Sequence, residues 1–324
     1  MKAILVDESK NLKWAEVPEP VLKPGEVMVE IGASGVNRAD LMQRDGLYPP
    51  PPGCPEWMGL EIAGEITTVT PEAVQASCRP GDRVCALMGG GGYAERAAVH
   101  HSMLMPVPKG FSLAEAAAVP EAYATAYLNL ILEGRLHKGE TCLVFAGASG
   151  VGIACTHIAK AFDAKVVATV RSDEKAAALE AVGADLIVNT RKTPPTQIFE
   201  EHPVNLVIDC VGGPDAGACF ARMARYGRWV SIATLGGAET TLDMSTVYKK
   251  GLRLIGSTLR SRAPEVKAEI LAGLVRDVFP HFEQGRFRPL VHKTFDIRDA
   301  EAAHAEMKAN RNTGKIILTR GRQA

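Results

Sequence analysis

The sequence predicts an α/β protein of two domains, a doubly wound parallel sheet of six strands and an irregular β-rich fold, and three observations carry that prediction. The chain has 324 residues, more than one hydrophobic core usually serves. Between residues 141 and 256, apolar β-branched runs alternate with Ala-rich helical stretches, which is how parallel βαβ units read in sequence. Before residue 118 the chain breaks instead into short strands separated by turn chemistry.

In the first part, Lys23-Pro24-Gly25-Glu26 precedes Val27-Met28-Val29-Glu30-Ile31, and Arg79-Pro80-Gly81-Asp82 precedes Arg83-Val84-Cys85-Ala86-Leu87. Each pair reads as a turn feeding a strand. Tyr48 is followed by four prolines, Pro49 to Pro52, and Gly53, a segment that continues neither a helix nor a central strand and crosses the surface as a stiff loop. The sheet strands are expected at 141–146, 165–170, 185–189, 204–210, 228–233 and 252–256, with helices near 150–162, 173–182 and 214–225. From residue 264 follow a long helical pattern, a β-like stretch near Leu290, a helix from Ile297 to Met307 and the strand Gly314-Lys315-Ile316-Ile317-Leu318. Because the sheet is complete by residue 256, this tail is expected to return to the first domain. The division is therefore 1–118 with 264–324, and 119–263.

Composition narrows the function. Lys plus Arg equals Asp plus Glu at 37 each, so no global field draws nucleic acid or an anionic membrane surface, and a small, locally recognised ligand is favoured. The N-terminus turns charged before any apolar core of signal-peptide length, and no apolar run approaches the roughly 18 residues of a membrane span, so a cytoplasmic protein is expected. The seven cysteines are scattered and never spaced as a Cys-x-x-Cys pair, which suggests buried reduced thiols rather than disulfides or a zinc module.

The sharpest local signal is the apolar run Thr141 to Ala146, followed by Gly147-Ala148-Ser149-Gly150-Val151-Gly152 and a helical stretch. A strand enters a tight turn and a helix leaves it, so backbone N–H groups and the positive end of a helix dipole converge where a pyrophosphate can sit. Ser149 replaces the middle glycine of the usual G-x-G-x-x-G pattern; the alternative is a tight connection with no ligand. Its place at the first turn of a six-stranded sheet favours a dinucleotide. After the second strand stand Arg171, Ser172 and Lys175, two cations and a hydroxyl suited to a 2′-phosphate, which selects NADPH over NADH. Beside this stands a solvated helix start capped by Ser172, and the two are compatible if Asp173 and Glu174 face away.

Several stretches resemble the medium-chain dehydrogenase/reductase superfamily and, within it, the zinc-free quinone oxidoreductases related to zeta-crystallin, most of all the p53-inducible quinone oxidoreductase subgroup. They are Gly35 to Arg44, Tyr48 with Pro50-Pro51-Pro52-Gly53, Gly59-Leu60-Glu61, Pro120-Glu121-Ala122 with Thr125-Ala126, Ala146 to Gly152, and Gly314-Lys315-Ile316. The resemblance implies a Rossmann domain beside a GroES-like catalytic domain. Zinc-dependent relatives carry a cysteine and a His-Glu pair where this chain has Asn37 and Leu60-Glu61, so no metal is expected. The presumed site then holds Asn37, Asp40 and Tyr48, with Glu61 as a further candidate, beside the nicotinamide and Ser149. Little acid catalysis is needed there, because a quinone that accepts a hydride becomes a stable hydroquinone anion. Asn37 and Tyr48 are candidate hydrogen-bond donors to a quinone oxygen; the alternatives are an asparagine closing a turn and a rim tyrosine packed on prolines. Relatives often place a tyrosine after the third strand, where this chain has Thr190 and then Arg191, a candidate for the phosphate contact. Arg260 lies just beyond the last strand, as a cofactor contact or as a capping or surface residue.

The leading expectation is an NADPH:quinone oxidoreductase. Two others stay open: an NADPH-dependent enoyl or enone reductase, with Tyr48 or Tyr123 protonating the α-carbon, and a non-catalytic, crystallin-like NADPH-binding protein. The relatives imply a homo-oligomer, a homodimer or homotetramer, joined through the edge strand near residue 256.

Overall fold

A computed structural model describes residues 1–321, and the chain divides into two units, 1–124 with 260–324 and 125–259. The boundaries fall a few residues from those expected, and residues 260–263 go to the first unit. In that unit the strand Lys315–Thr319 pairs with Glu26–Val36.

In the second unit six strands form one parallel sheet: Thr141–Val144, Lys165–Val170, Leu186–Asn189, Leu206–Asp209, Arg228–Ser231 and Arg253–Gly256. Across the sheet they run third, second, first, fourth, fifth, sixth. The order reverses beside Thr141–Val144, where Cys142 pairs with Val166 on one side and Leu206 on the other. Thr141–Val144 is buried throughout, as a strand covered on both faces must be, and its residues are accordingly apolar or β-branched. One core gathers Leu143, Val167, Val207, Phe220 and Trp229, with Trp229 stacked on Phe199 at 6.3 Å. Arg228 locks the approach to the first strand. Its guanidinium bonds both oxygens of Glu140, at 2.7 and 2.6 Å, and the carbonyl of Gly134 at 2.8 Å. Such a forked pair combines charge with fixed geometry.

The helices Gly150–Ala161, Ala176–Val182 and Ala216–Arg222 match those expected, while Pro195–Glu201 and Met244–Lys250 are additional. Three strands end one or two residues earlier than read from sequence, because the apolar run continues into the turn that follows.

In the first unit the long strand Glu26–Val36 is the axis. It pairs antiparallel with Glu61–Val69, Arg96–His100 and Lys315–Thr319. Val27, Val29 and Ile31 alternate inward into a core with Ile62, Ile66 and Val99, which is the period of a strand covered on one face. Val291–Asp296 extends the sheet beyond Lys315–Thr319, and Arg83–Leu87 with Leu104–Pro106 extend it on the other side. The helix Ala300–Lys308 packs Ala300, Ala303 and Met307 with Ile316 and Leu318. Among the described residues no helix is long and apolar enough to cross a membrane.

Candidate active site

In the nucleotide unit, Thr141–Val144 leads into a turn whose backbone is unusual. Ala146 takes φ +52°, a left-handed conformation that a residue with a Cβ seldom adopts and that tends to persist where a ligand is held. The turn is braced by the neighbouring strand, since Thr169 accepts from Gly147 N–H through its carbonyl at 2.8 Å and from Ala146 N–H through Oγ1 at 3.1 Å. Ser149 then caps the helix Gly150–Ala161, its Oγ accepting from Gly152 N–H at 3.0 Å. A Cβ at Gly152 would lie 2.4 Å from the carbonyl oxygen of Gly147, so only glycine closes the turn. The serine in place of the middle glycine is thus a cap. The N–H groups of Gly150 and Val151 open the helix with no partner among the described residues. Two orphan donors on a helix dipole fit a pyrophosphate.

The next strand ends carry the charges. Val170 pairs with Asn189, so Arg171 follows one strand and Thr190-Arg191 the other, and both arginines are exposed. Asp173, the acidic residue that would oppose a phosphate here, turns to Lys192 and to Asn189, whose Nδ2 donates at 2.8 Å. Lys192 first and Asn189 second hold its carboxyl below the usual aspartate range. Ser172 and the half-buried Lys175 lie in the same turn.

In the other unit Asn37 caps the helix Arg38–Arg44, its N–H donating to Asp40 Oδ2 at 2.7 Å. Asp40 is fully buried and also accepts from Gly59 N–H at 3.1 Å and from the Tyr93 hydroxyl at 3.2 Å. Burial pushes its carboxyl up to about 6 in spite of those donors. With Tyr93 donating to Asp40, the tyrosine oxygen accepts from Nε2–H of His304, 3.3 Å away. Asp40, expected among the catalytic residues, is therefore enclosed by protein, and its carboxylate ties three elements together rather than facing an acceptor.

Asn37 is engaged as well. Lys315 Nζ donates to its Oδ1 at 2.7 Å and to the Val36 carbonyl at 3.0 Å, and pairs with Glu61 Oε1. The Asn37 amide donates to that same Glu61 oxygen at 3.0 Å and toward the Gly35 carbonyl at 3.4 Å. Its donors point inward in this arrangement, not toward an acceptor. Glu61 Oε2 accepts from the backbone N–H of Glu121 at 2.8 Å. A Cβ at Gly35 would stand 2.2 Å from Glu61 Oε1, so the missing side chain makes room for the carboxylate.

Tyr48 sits under a clamp. The Arg260 guanidinium lies 4.9 Å from the centre of its ring and donates to its carbonyl at 3.1 Å, to Gly89 O at 2.7 and 2.9 Å and to Gln43 Oε1 at 2.7 Å. Lys267 Nζ in turn donates to the Arg260 carbonyl at 2.7 Å. Arg260, a candidate for the cofactor from its place after the last strand, belongs to the first unit, and its guanidinium is occupied in holding the proline-rich loop. Burial raises the pKa of the half-buried Tyr48 hydroxyl, with Arg260 opposing and Glu121 assisting.

Two family models cover most of this frame. The alcohol dehydrogenase GroES-like domain matches residues 23–109, and the zinc-binding dehydrogenase model matches residues 150–274. The chain belongs to the medium-chain dehydrogenase/reductase superfamily. It is 29% identical over 322 residues to quinone oxidoreductase-like protein 2 of Bos taurus, covering 98% of this chain and 91% of that protein. It is 32% identical to the spectinabilin polyketide synthase system protein NorB of Streptomyces orinoci, covering 95% of this chain but spanning only 14% of that protein. Among solved structures, the quinone oxidoreductase of Thermus thermophilus, determined also in complex with NADPH, superposes with a TM-score of 0.83 at 29% identity, over 98% of this chain and all of that one. As a member of the superfamily the chain is an oxidoreductase with a nicotinamide cofactor.

The zinc in one family model's description does not fit this member. Leu60 is apolar and buried, Asn37 offers an amide already engaged, and the Lys315 ammonium lies against both Asn37 and Glu61. Among the described residues no group of three or more His, Cys, Asp or Glu side chains is assembled to hold a metal ion.

Sequence motifs thus locate the glycine turn, the cationic strand ends, Asn37, Asp40 and Tyr48, and they contain Lys315 and Glu121 without a role for either, but they do not mark Tyr93 or His304. Lys315 did carry a signal: a lysine inside an otherwise apolar strand needs a buried partner. Replacing Lys315 with Ala leaves Glu61 buried without its counter-ion and is expected to destabilise the chain by about 3–5 kcal/mol, as breaking a buried pair does. Urea denaturation measures it, and a loss below about 1 kcal/mol would show that the pair is not required.

Proposed function

We propose that the chain is a zinc-independent NADPH:quinone oxidoreductase, passing reducing equivalents from NADPH to quinones or related electrophilic carbonyls. The observation that carries this reading is the Lys315–Glu61–Asn37 cluster, at positions where the family resemblance implies the zinc ligands of zinc-dependent relatives. Without a metal to polarise an alcohol or an isolated carbonyl, an acceptor that takes a hydride readily is the better match, and a quinone does so because its product is aromatic. The relative from Thermus thermophilus, named as a quinone oxidoreductase, supports the same acceptor class.

The turn Gly147, Ala148, Ser149, Gly150, Val151, Gly152 would hold the pyrophosphate, and Arg171, Ser172, Lys175 and Arg191 the 2′-phosphate. The bound cofactor supplies the hydride. Asp173 is paired with Lys192, which takes its charge out of direct opposition to that phosphate. Tyr48, oriented by Arg260, would line the acceptor position with Asn37 and Asp40 behind it, these two acting by positioning.

A cytoplasmic location is supported by the cysteines, all seven of which are free thiols. The sheet edge at Arg253–Gly256, with Leu254 55% exposed and Tyr248 73% exposed nearby, suits pairing with a second copy as a homodimer or homotetramer.

Loss of reduced-nicotinamide absorbance on adding a simple benzoquinone is the direct test. Turnover above the no-enzyme control is expected, together with less than stoichiometric zinc by elemental analysis. Strong preference for an α,β-unsaturated ketone would move the assignment to an enone reductase, and tight NADPH binding without turnover would make the chain a binding protein. Arg171→Ala combined with Lys175→Ala should weaken NADPH by about 1–3 kcal/mol per lost charged contact while sparing NADH, read by calorimetry; equal weakening of both removes the phosphate assignment. Light scattering should return a mass that is a multiple of 34.6 kDa greater than one, and a monomer at micromolar concentration would remove the edge pairing.

A further inference from the structure

We propose that Glu121 is the proton donor to the acceptor oxygen, a catalytic residue in the reaction put forward above and resting on that reading. Of the carboxyl groups of Asp40, Glu61 and Glu121, only that of Glu61 is paired with the buried Lys315 ammonium. Asp40 satisfies itself with three hydrogen-bond donors: the N–H groups of Asn37 and Gly59 and the hydroxyl of Tyr93. Glu61 takes Lys315, the Asn37 amide and the Glu121 backbone N–H. Glu121 stands in the first turn of the helix Pro120–Tyr127, joined to Glu61 through that N–H, and its own carboxyl has no hydrogen-bond or ion-pair partner among the described residues.

Through its backbone N–H, 2.8 Å from Glu61 Oε2, Glu121 is joined to this cluster, and the charges of Glu61, Lys315, Asp40 and Lys267 act on its carboxyl, as its own charge acts on the Tyr48 hydroxyl. Lys315 is committed to Glu61 and Asn37, and Lys267 to the Arg260 carbonyl. A half-buried carboxyl beside a second carboxylate, with both nearby cations engaged elsewhere, is more stable with its proton on. Burial first, and then the charge of Glu61, raise it to about 8. At neutral pH it is an O–H donor in the same part of the unit as Tyr48 and Asn37.

The step balances with water as the only further reactant. The quinone accepts a hydride with its electron pair and is reduced by two electrons. The Glu121 O–H bond breaks, its proton forms an O–H bond to the quinone oxygen on which negative charge has collected, and hydroquinone leaves. The Glu121 carboxylate then takes a proton back from water. Tyr48, held by Arg260, orients the ring and need not give up a proton.

The test uses the full chain. With ¹³C-labelled glutamate and no cofactor present, one side-chain carboxyl resonance should titrate near pH 8 and vanish in Glu121→Gln; titration of that resonance near 4, roughly the ordinary glutamate range, overturns the proposal. With a simple benzoquinone at pH 7, Glu121→Gln should lower kcat/KM about a hundredfold, the usual scale of a lost general acid, while NADPH binding by fluorescence stays as in wild type and Glu121→Asp recovers part of the rate. Because the protonated form is the active one, wild-type kcat/KM should fall as pH rises through about 8, and Glu121→Gln should lose that limb. An active wild type whose Glu121→Gln variant keeps both rate and pH profile rejects the assignment alone. A wild type that reduces no quinone rejects the quinone-reductase reading and this inference with it.

Discussion

Burying an ammonium group is tolerable only if anions and carbonyls replace its water, and the first unit of this protein is organised around that condition. Lys315 is about as buried as the apolar residues that follow it in its strand, and its three partners come from two other segments, the end of the axial strand with Asn37 and the start of Glu61–Val69. Those partners in turn dictate their neighbours. Glu61 needs the space left by Gly35, Asn37 must start a helix with its amide turned inward, and the helix Pro120–Tyr127 is anchored by a backbone donor to the second Glu61 oxygen. A monovalent cation carried on a side chain thus sits against Glu61 and Asn37.

The nucleotide unit obeys a different constraint, the need to present backbone donors at a sheet's carboxyl edge. Its solution is local: a strained alanine, glycines and a serine cap within seven residues, braced by one threonine of the adjacent strand. Because the parts are consecutive in sequence, they can be read there. The same is true of the inner strands Thr141–Val144 and Leu206–Asp209, whose burial on both faces makes each a short, largely apolar run bounded by turn residues.

What the sequence did not disclose is non-local. Tyr93 and His304 meet across 211 positions, and Tyr93 reaches Asp40 across another 53; no local pattern announces such contacts. Arg260 reads as a cofactor residue because it follows the last sheet strand, yet its donors close on Gly89, Tyr48 and Gln43, partners supplied by a part of the chain some 171 to 217 positions away. The helix Pro120–Tyr127 is hidden for another reason: it is buried on nearly every side, so it lacks the polar stripe that marks an amphipathic helix. Pro195–Glu201 and Met244–Lys250 are seven residues each, too short for a helical period to stand out.

The strand that carries Lys315 has an implication for how the protein comes to exist. Residues 1–124 and 260–324 build one unit, with the whole nucleotide unit inserted between them. During synthesis, Glu61 and Asn37 emerge long before the lysine that neutralises the cluster, whereas every strand of the inserted sheet is made in one uninterrupted stretch. The inserted unit can therefore mature on the ribosome while the flanking halves wait, holding an anionic gap and an open strand edge until Lys315–Thr319 arrives to close both at once.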